Sequence, residues 1–587
     1  MKPRFLKLIS VSVGVALFPA LSYGKVVIQI SSQVDFDALG KNINICLKKG
    51  ETDIRVFIAR GVYYYTDNHV DLIGQNNPMA KVYISGDDVT LIAQGRRYVQ
   101  GASYQGVFSP NKTFLDEDNQ LLKVWSPLFQ MQELIEILSV DKKLCRVKNL
   151  SSASGVSSVG SYIQVTSWYQ SFVYKIDRIE GGYIYFTADN LKNGYRGDWN
   201  VNDDFNYGMH YPRYRLCNVD LGGKQFYISK EGVTMPSGIQ SVHECEAARF
   251  LVLGYGTRIG TLEVTGITFK GNAYNGEWGV FSLLSPQGKV TIRDCIFWGL
   301  SSSRAIAVGN KNNVFILNCR FKDCSESCII SSHDAVNTVI RGCEFVRCGT
   351  ALKNSFCVRC FGENYYIGNN IFEDYGYSAI GLGYGSGNEH KSMISGIVEY
   401  NTLRYTDDYM ANLAQHTLMD SGAIYVSTQN DDTLIRYNII NQYSGMYENR
   451  GVFCDDGARN LKIYGNVIIG VTNFFSIDSR RVSSVETKSG PANVGNVIRD
   501  NIVDNQILLA GREETSNGCE YGPNYFLMPV DAEKPAVEIK NVKVTGPDIV
   551  FIRRGITDGR IIVSYKDYKA IMNVLGAKQA KGLFRHD

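Results

Sequence analysis

From about residue 250 onward, apolar and polar positions alternate with a period of two in short runs, and amphipathic runs of helical length are scarce. Three runs carry the pattern most plainly: Thr291-Ile-Arg-Asp-Cys-Ile-Phe297, Phe315-Ile-Leu-Asn-Cys-Arg-Phe321 and Val339-Ile-Arg-Gly-Cys-Glu-Phe345. Their cysteines, Cys295, Cys319 and Cys343, recur every 24 residues, and a second column, Cys324 and Cys348, repeats the step. Further on, Asn takes the same slot: Asn370-Ile-Phe, Asn401-Thr-Leu, Asn438-Ile-Ile, Asn466-Val-Ile and Asn501-Ile-Val. The steps there lengthen to 31, 37, 28 and 35 residues, so coils persist while loops grow out of them.

A period in the low twenties with three short β-branched runs per period is the signature of a solenoid. One coil cannot bury its own inward face, so coils stack into a continuous core of Val, Ile, Leu and Phe. At the turns, Asn residues in register are expected to form hydrogen-bonded ladders. No leucine consensus runs through the repeat, which excludes a leucine-rich repeat. The expected fold is all-β: a right-handed parallel β-helix with an N-terminal cap and an inserted antiparallel β-domain.

The pattern divides the chain into 1–24, 25–114, 115–235, 236–510 and 511–587. Lys2, Arg4 and Lys7, the apolar run Leu8 to Phe18 and the small-residue end Ser22-Tyr23-Gly24 read as a signal peptide. Residues 25–114 read as the N-terminal cap with early coils, and Arg258 to Phe269 as the first clear rung. The repeat is missing from 115–235, where Gly181-Gly182 sits at the turn of a hairpin, hence an inserted antiparallel β-domain. Past Asn505 the pattern fades into a C-terminal cap with one short helix expected around Tyr565 to Leu575.

Basic residues (61) nearly cancel acidic ones (58), which argues against a nucleic-acid or anionic-membrane partner. No later segment is long and apolar enough to span a bilayer. The expectation is an exported bacterial protein, periplasmic or secreted, acting as a monomer on a polysaccharide or oligosaccharide. Fourteen cysteines in such a chain normally suggest disulfides. Their recurrence at fixed offsets instead suggests buried, stacked thiols behaving as small apolar residues. Cys357 and Cys360 form a CxxC, but no second metal-type pair accompanies it and no metal site is expected.

The outer faces and long loops of a solenoid are free to carry chemistry. Unusual polar residues concentrate between Asn401 and Asn501: His416, Asp420, Tyr425, Glu448, Arg450, Asp455, Asp456, Asp478, Arg480 and Arg481. Gly422-Ala-Ile-Tyr425 and Gly451-Val-Phe-Cys454 read as one strand on successive coils, continued by Phe475-Ser-Ile-Asp478. That register stacks Asp455 on Asp478, about 4.8 Å apart at the backbone. Like charges that close repel and push one partner's ionisation upward, the arrangement a general acid with a nearby base or nucleophile requires. Arg480 and Arg481 are placed to offset the charge or grip a substrate carboxylate. His416, Tyr425, Glu448 and Arg450 are candidate substrate contacts. Asp-Gly is also an ordinary turn signal. His333-Asp334 reads as structural, and Trp125, Trp168, Trp199 and Tyr211 as either a sugar-stacking wall or core.

The ordered segments Ser421-Gly-Ala-Ile-Tyr425, Ile435-Arg-Tyr-Asn-Ile-Ile440, Gly451-Val-Phe-Cys-Asp-Asp-Gly457 and Ile463-Tyr-Gly-Asn-Val-Ile468 resemble β-helix carbohydrate-active proteins around glycoside hydrolase family 141, which includes an α-L-fucosidase acting on complex pectin. The likeness runs from about Gln120 to Asn505. It implies that Asp420, just before the GAIY strand, and Asp455 or Asp456 in DDG are the catalytic carboxylates. Two departures stand out: Gly451-Val-Phe where the family has GIY, and Cys454 before the aspartates. Three functions follow as alternatives. The first is a glycoside hydrolase with paired-carboxylate catalysis and no cofactor. The second is a polysaccharide lyase on a uronate-containing glycan, with Asp455, Asp456 and Glu448 as calcium ligands and Arg480 or Arg481 as base. The third is a non-catalytic glycan-binding β-helix.

Overall fold

In the computed structural model, continuous description covers 25–99, 239–273, 279–284, 287–301, 304–309, 313–349, 355–383, 395–406, 421–427, 432–441, 449–455, 460–471, 473–477 and 495–504; elsewhere it covers shorter strands and turns, including those named below. The chain is a right-handed parallel β-helix. Each coil contributes three short strands, so three flat faces run along the solenoid. The first face holds Gln287–Arg293, Asn313–Leu317, Thr338–Arg341 and Tyr365–Gly368 in parallel register, and the second holds Ile296–Leu300, Arg320–Lys322, Glu344–Val346 and Ile371–Glu373. The third face is a separate ten-stranded sheet that runs from Val70–Asp71 through Leu251–Leu253 to Asn473–Ile477.

Two bends per coil separate the strands, and each uses a residue in the left-handed region. The first comes just before the Cys/Asn slot, at Asp294 (φ 54°), Asn318 (φ 52°), Asn369 (φ 56°) and Asp500 (φ 56°). Asn and Asp tolerate this conformation because their short side chains bond locally. Tyr400 (φ 57°) and Tyr437 (φ 56°) occupy the same slot, with their rings stacked 5.3 Å apart. The second bend precedes Leu300, Cys324, Cys348 and Tyr375, at Gly299, Asp323, Arg347 and Asp374.

The Asn slot forms the expected ladder. Asn370, Asn401, Asn438 and Asn466 each donate through Nδ2 to Oδ1 of the next member, at 2.9, 2.9, 3.0 and 2.9 Å, and Asn501 extends the series to Asn524 at 3.0 Å. The Phe that follows the slot forms a second column: Phe269, Phe297, Phe321, Phe345 and Phe372 stack at 5.2, 4.9, 4.7 and 4.6 Å. Phe345 is fully buried with a ring on either side. Phe345→Ala is expected to cost about 3–5 kcal/mol, read by urea unfolding, because neighbouring coils cannot close the gap.

Coils begin well before Phe250. Val26–Ile30, Asp53–Ile58, Asn76–Ala93 and Arg258–Asn272 pair in parallel, rung on rung, so 95–250 is an excursion from a solenoid already under way. The early rungs escape the repeat because Ile267, paired with Val89, stands where Cys295 stands one coil later. Coils also continue past Asn505: Ile502–Val503 pairs with Tyr525–Phe526, which pairs with Val550–Phe551. There the rung after Asn524 carries Tyr and Phe in place of the β-branched pair.

Two helices, Gln33–Asp37 and Leu39–Lys48, bury Phe36, Leu39 and Ile43 on the first coils, and Ser32 caps the first helix by accepting from the Asp35 N–H. A strand Lys7–Ser10 lies parallel to Val26–Gln29. In the excursion, Gly181 (φ 57°) and Gly182 (φ 80°) turn Ser171–Glu180 back on Tyr183–Thr187 inside a six-stranded antiparallel sheet. Gly95–Val99, Thr113–Asp116, Leu121–Leu122 and Ser241–Cys245 make a smaller one. Thr113 Oγ1 ties it to the solenoid by donating to the Asn272 and Gly299 carbonyls at 3.0 and 2.9 Å. The helix expected around Tyr565 to Leu575 lies outside the described residues except for Lys569, which is helical.

Candidate functional site

A bare solenoid buries one side of each strand and wets the other. On the first two faces this holds, as in Asn313–Leu317, where outward residues are exposed or half-buried. The ten-stranded sheet departs from it. Gly279–Leu283, Ser378–Leu382 and Ser421–Ser427 are buried at every position. Inward, the register stacks Phe281, Ile306, Ile329, Val358, Ile380, Ile424 and Val452 into the core. Outward, one residue along, it stacks Ser282, Ala307, Ile330, Arg359, Gly381, Tyr425 and Phe453. This outer column holds two aromatic rings away from water and a half-buried arginine, and an outer face covered in that way is where binding chemistry is to be sought.

Two groups occupy the face. The first is aromatic: Phe356, Tyr377, Tyr425 and Phe453 form a cluster of their own, apart from the core. Tyr425 meets Phe453 edge-on at 5.2 Å, and Phe356 meets Tyr377 edge-on at 5.5 Å. Gly381 makes room, since a Cβ there would lie 2.5 Å from the Phe356 ring. The buried guanidinium of Arg450 lies 4.1 Å over the Phe453 ring.

The second group is charged. Glu326 lies a short way ahead of the strand Ile329–Ser331, with Arg304 on the coil before and Arg359 on the coil after. Its Oε2 is buried with no hydrogen-bond partner among the described residues. Burial pushes its ionisation up to about 7, against the opposing pull of Arg304 and Arg359. Arg359 lies 4.9 Å over the Phe361 ring, which His333 meets on 4.3 Å. A carboxyl that changes charge near neutrality beside two guanidiniums is equipped to donate a proton or to answer an incoming anion.

That shift also sets a pH dependence. Unfolded Glu326 ionises in the ordinary carboxylate range, and folded Glu326 only near 7. The native state therefore holds the extra proton, and stability falls as pH rises from about 4.5 through 7, by up to roughly 3 kcal/mol. Glu326→Gln should gain on wild type across that window in urea titrations at stepped pH; a difference that does not change with pH contradicts the assignment.

Of the residues singled out from sequence, Tyr425 and Arg450 stand on this face. Asp455 ends the strand Asn449–Asp455, paired with Ser427. His416, Asp420, Glu448, Asp456, Asp478, Arg480 and Arg481 lie outside the described residues, as do Trp125, Trp168, Trp199 and Tyr211. Val452 pairs with Phe475 as the alignment expects, and the ladder runs to Cys454 and Ile477, one residue short of Asp455 and Asp478. One register is corrected: Gly422 pairs with Arg450 and Tyr425 with Phe453, so the GAIY and GVFC glycines are not partners. The inward Ile424 and Val452 set the pairing, because a one-residue slip would turn the apolar column outward. Glu326, Arg304 and Arg359 escaped sequence reading. They sit two to four coils before Tyr425, one to a coil, and belong to no motif. Cys357 and Cys360 of the CxxC are both buried, and Cys360 receives a hydrogen bond from Ser331 Oγ at 3.5 Å.

No family model and no curated protein matches the sequence. Solved structures similar to this chain include XylC in complex with xylose (10% identity, TM-score 0.36, 86% of this chain and 82% of that one). Another is a Yersinia enterocolitica family 28 exopolygalacturonase (10% identity, TM-score 0.28, 91% and 76%). A third is the A-module of the Azotobacter vinelandii mannuronan C-5 epimerase AlgE6 (12% identity, TM-score 0.23, 52% and 87%). At these scores the likeness does not reach individual residues.

Proposed function

We propose that the chain is an exported polysaccharide-acting enzyme, a glycoside hydrolase whose substrate lies along the outer face of the ten-stranded sheet. The observation that carries this reading is that the face buries Arg450 and four aromatic rings, with Glu326 and Arg359 half-buried beside them, where a bare solenoid would be wet. Aromatic rings suit the apolar faces of sugars, and guanidiniums suit carboxylates. Arg304, Arg359 and Arg450 on one face point to an acidic, uronate-containing glycan. From the coil of Glu326 to that of Asp455 is four rungs, about 19 Å, long enough for several sugar units.

In this reading Asp420, Asp455, Asp456 and Asp478 are the catalytic candidates. One carboxylic acid protonates the leaving glycosidic oxygen, and a second carboxylate activates water or attacks the anomeric carbon. A carboxyl separation of about 5–5.5 Å gives retention of configuration, and about 6.5–9.5 Å gives inversion. His416, Tyr425, Glu448, Arg480 and Arg481 complete the set proposed to hold the sugar.

The arginines on the face favour one second reading, a lyase, since neutralising a uronate carboxylate is what β-elimination requires. Product analysis on pectic and alginate-type polysaccharides separates the two. New reducing ends without ultraviolet absorption indicate hydrolysis. An absorbing, unsaturated product indicates elimination, and its loss on chelation would add calcium. Failure to cleave any acidic or neutral glycan overturns the enzymatic reading.

A further inference from the structure

The buried cysteines are not all of one kind. Cys295, Cys319 and Cys343 form a single row along the solenoid axis, one per coil. In a row each sulfur has neighbours only above and below, and filling space as a small apolar group accounts for it. Cys324 and Cys348 are stacked in the same manner at the second bend, where the Gly349 N–H donates to the Cys324 carbonyl at 2.9 Å. Beside them, at the entry to the ten-stranded sheet, Cys328 and Cys357 are stacked too, with the Cys328 N–H donating to the Cys357 carbonyl at 3.1 Å. The two short columns make a block of two by two.

We propose that Cys324, Cys328, Cys348 and Cys357 are the four ligands of a structural zinc ion inside the coil. The sulfurs of Cys324, Cys328 and Cys348 already lie within 4.8 Å of one another. A tetrahedral zinc with bonds of about 2.3 Å needs its sulfurs about 3.8 Å apart, so modest closure suffices. Cys357 brings its Sγ to 4.0 Å from the Cys348 carbonyl, and its thiol bonds with that of Cys348. All four side chains are buried, which suits a structural site, where closed tetrathiolate coordination is the rule. Soft thiolates also select zinc over calcium or magnesium.

The columns around the block end abruptly. One coil earlier Leu300 and Ala305 hold the two positions, and one coil later Tyr375 and Ala379 do. Cysteine fills both columns on these two coils alone among the described residues. Each ligating thiol releases its proton to solvent as the metal binds, during folding, before the coil closes. The sequence concealed the site because only Cys357 of the CxxC belongs to it, and the other three come from spacings that span coils.

Metal analysis of the full-length protein, purified under reducing conditions without chelator, tests the assignment. One zinc per chain is expected, together with thiolate-to-cobalt charge-transfer absorption when cobalt is supplied instead. Cys328→Ala and Cys357→Ala should lower bound zinc at least tenfold, while Cys319→Ala in the single row keeps it. Wild-type protein that holds no metal and gives no cobalt–thiolate band overturns the proposal, even if the variants fail to fold. So does peptide mapping that finds disulfides among the four, or zinc retained in both block variants.

Discussion

Asp455→Asn is expected to lower kcat/KM on the polysaccharide by roughly 10²–10⁴-fold, the range over which a positioned acid or base acts. Asn keeps the shape and an acceptor oxygen but cannot ionise, so binding should change little and the loss should fall on kcat. Asp455 is the position where two arguments meet: it ends the strand that carries Arg450 and Phe453 on the buried outer face, and it is the first aspartate of DDG. Asp456→Asn separates it from its neighbour. One of the two variants should lose far more activity than the other. Equal, small losses in both would move the chemistry to another part of the face and leave Glu326 as the acid to examine next.

Asn438→Leu is expected to destabilise the protein by about 3–5 kcal/mol, read as a lowered urea midpoint. Its Oδ1 accepts from the Asn401 N–H at 3.1 Å and from Asn401 Nδ2 at 2.9 Å, and its Nδ2 donates to the Val398 carbonyl and to Asn466 Oδ1, both at 3.0 Å. Leu keeps the branched shape yet strands buried donors and acceptors on the two neighbouring coils, and each unmet group costs about 1–3 kcal/mol. Asn438→Asp keeps the acceptor and forfeits both donations while burying a charge, so it should be at least as damaging at neutral pH. In a stack of coils held by their neighbours, the damage should appear as a separate early transition of the C-terminal coils.

How far the sequence reveals this molecule depends on which columns repeat a residue type. The Cys and Asn slots are legible because the turn beside them admits few residues and the buried amide has one way to be satisfied. The Phe column is legible for a similar reason: a wide ring leaves neighbouring coils little else to stack. Where the slot holds Val89 or Ile267, the same geometry is present without a visible mark, and the first coils show only as strand-like runs. At Asn524 the mark remains, but Tyr525 and Phe526 hide the strand. The outer face is harder still. Arg359, Gly381, Tyr425 and Phe453 share one column yet have no chemistry in common, because a binding face varies from rung to rung with its ligand. Glu326 gains its character from Arg304 and Arg359 on other coils, a relation that no spacing in the sequence announces.

The central claim is that the substrate lies along the outer face of the ten-stranded sheet. A crystal structure of Asp455→Asn soaked with an acidic oligosaccharide tests it most directly. Sugar rings packed over Tyr425 and Phe453, with a uronate carboxylate paired to Arg359 or Arg450, is the result this account predicts. An oligosaccharide bound to either of the other two faces, with the ten-stranded sheet left bare, would contradict it.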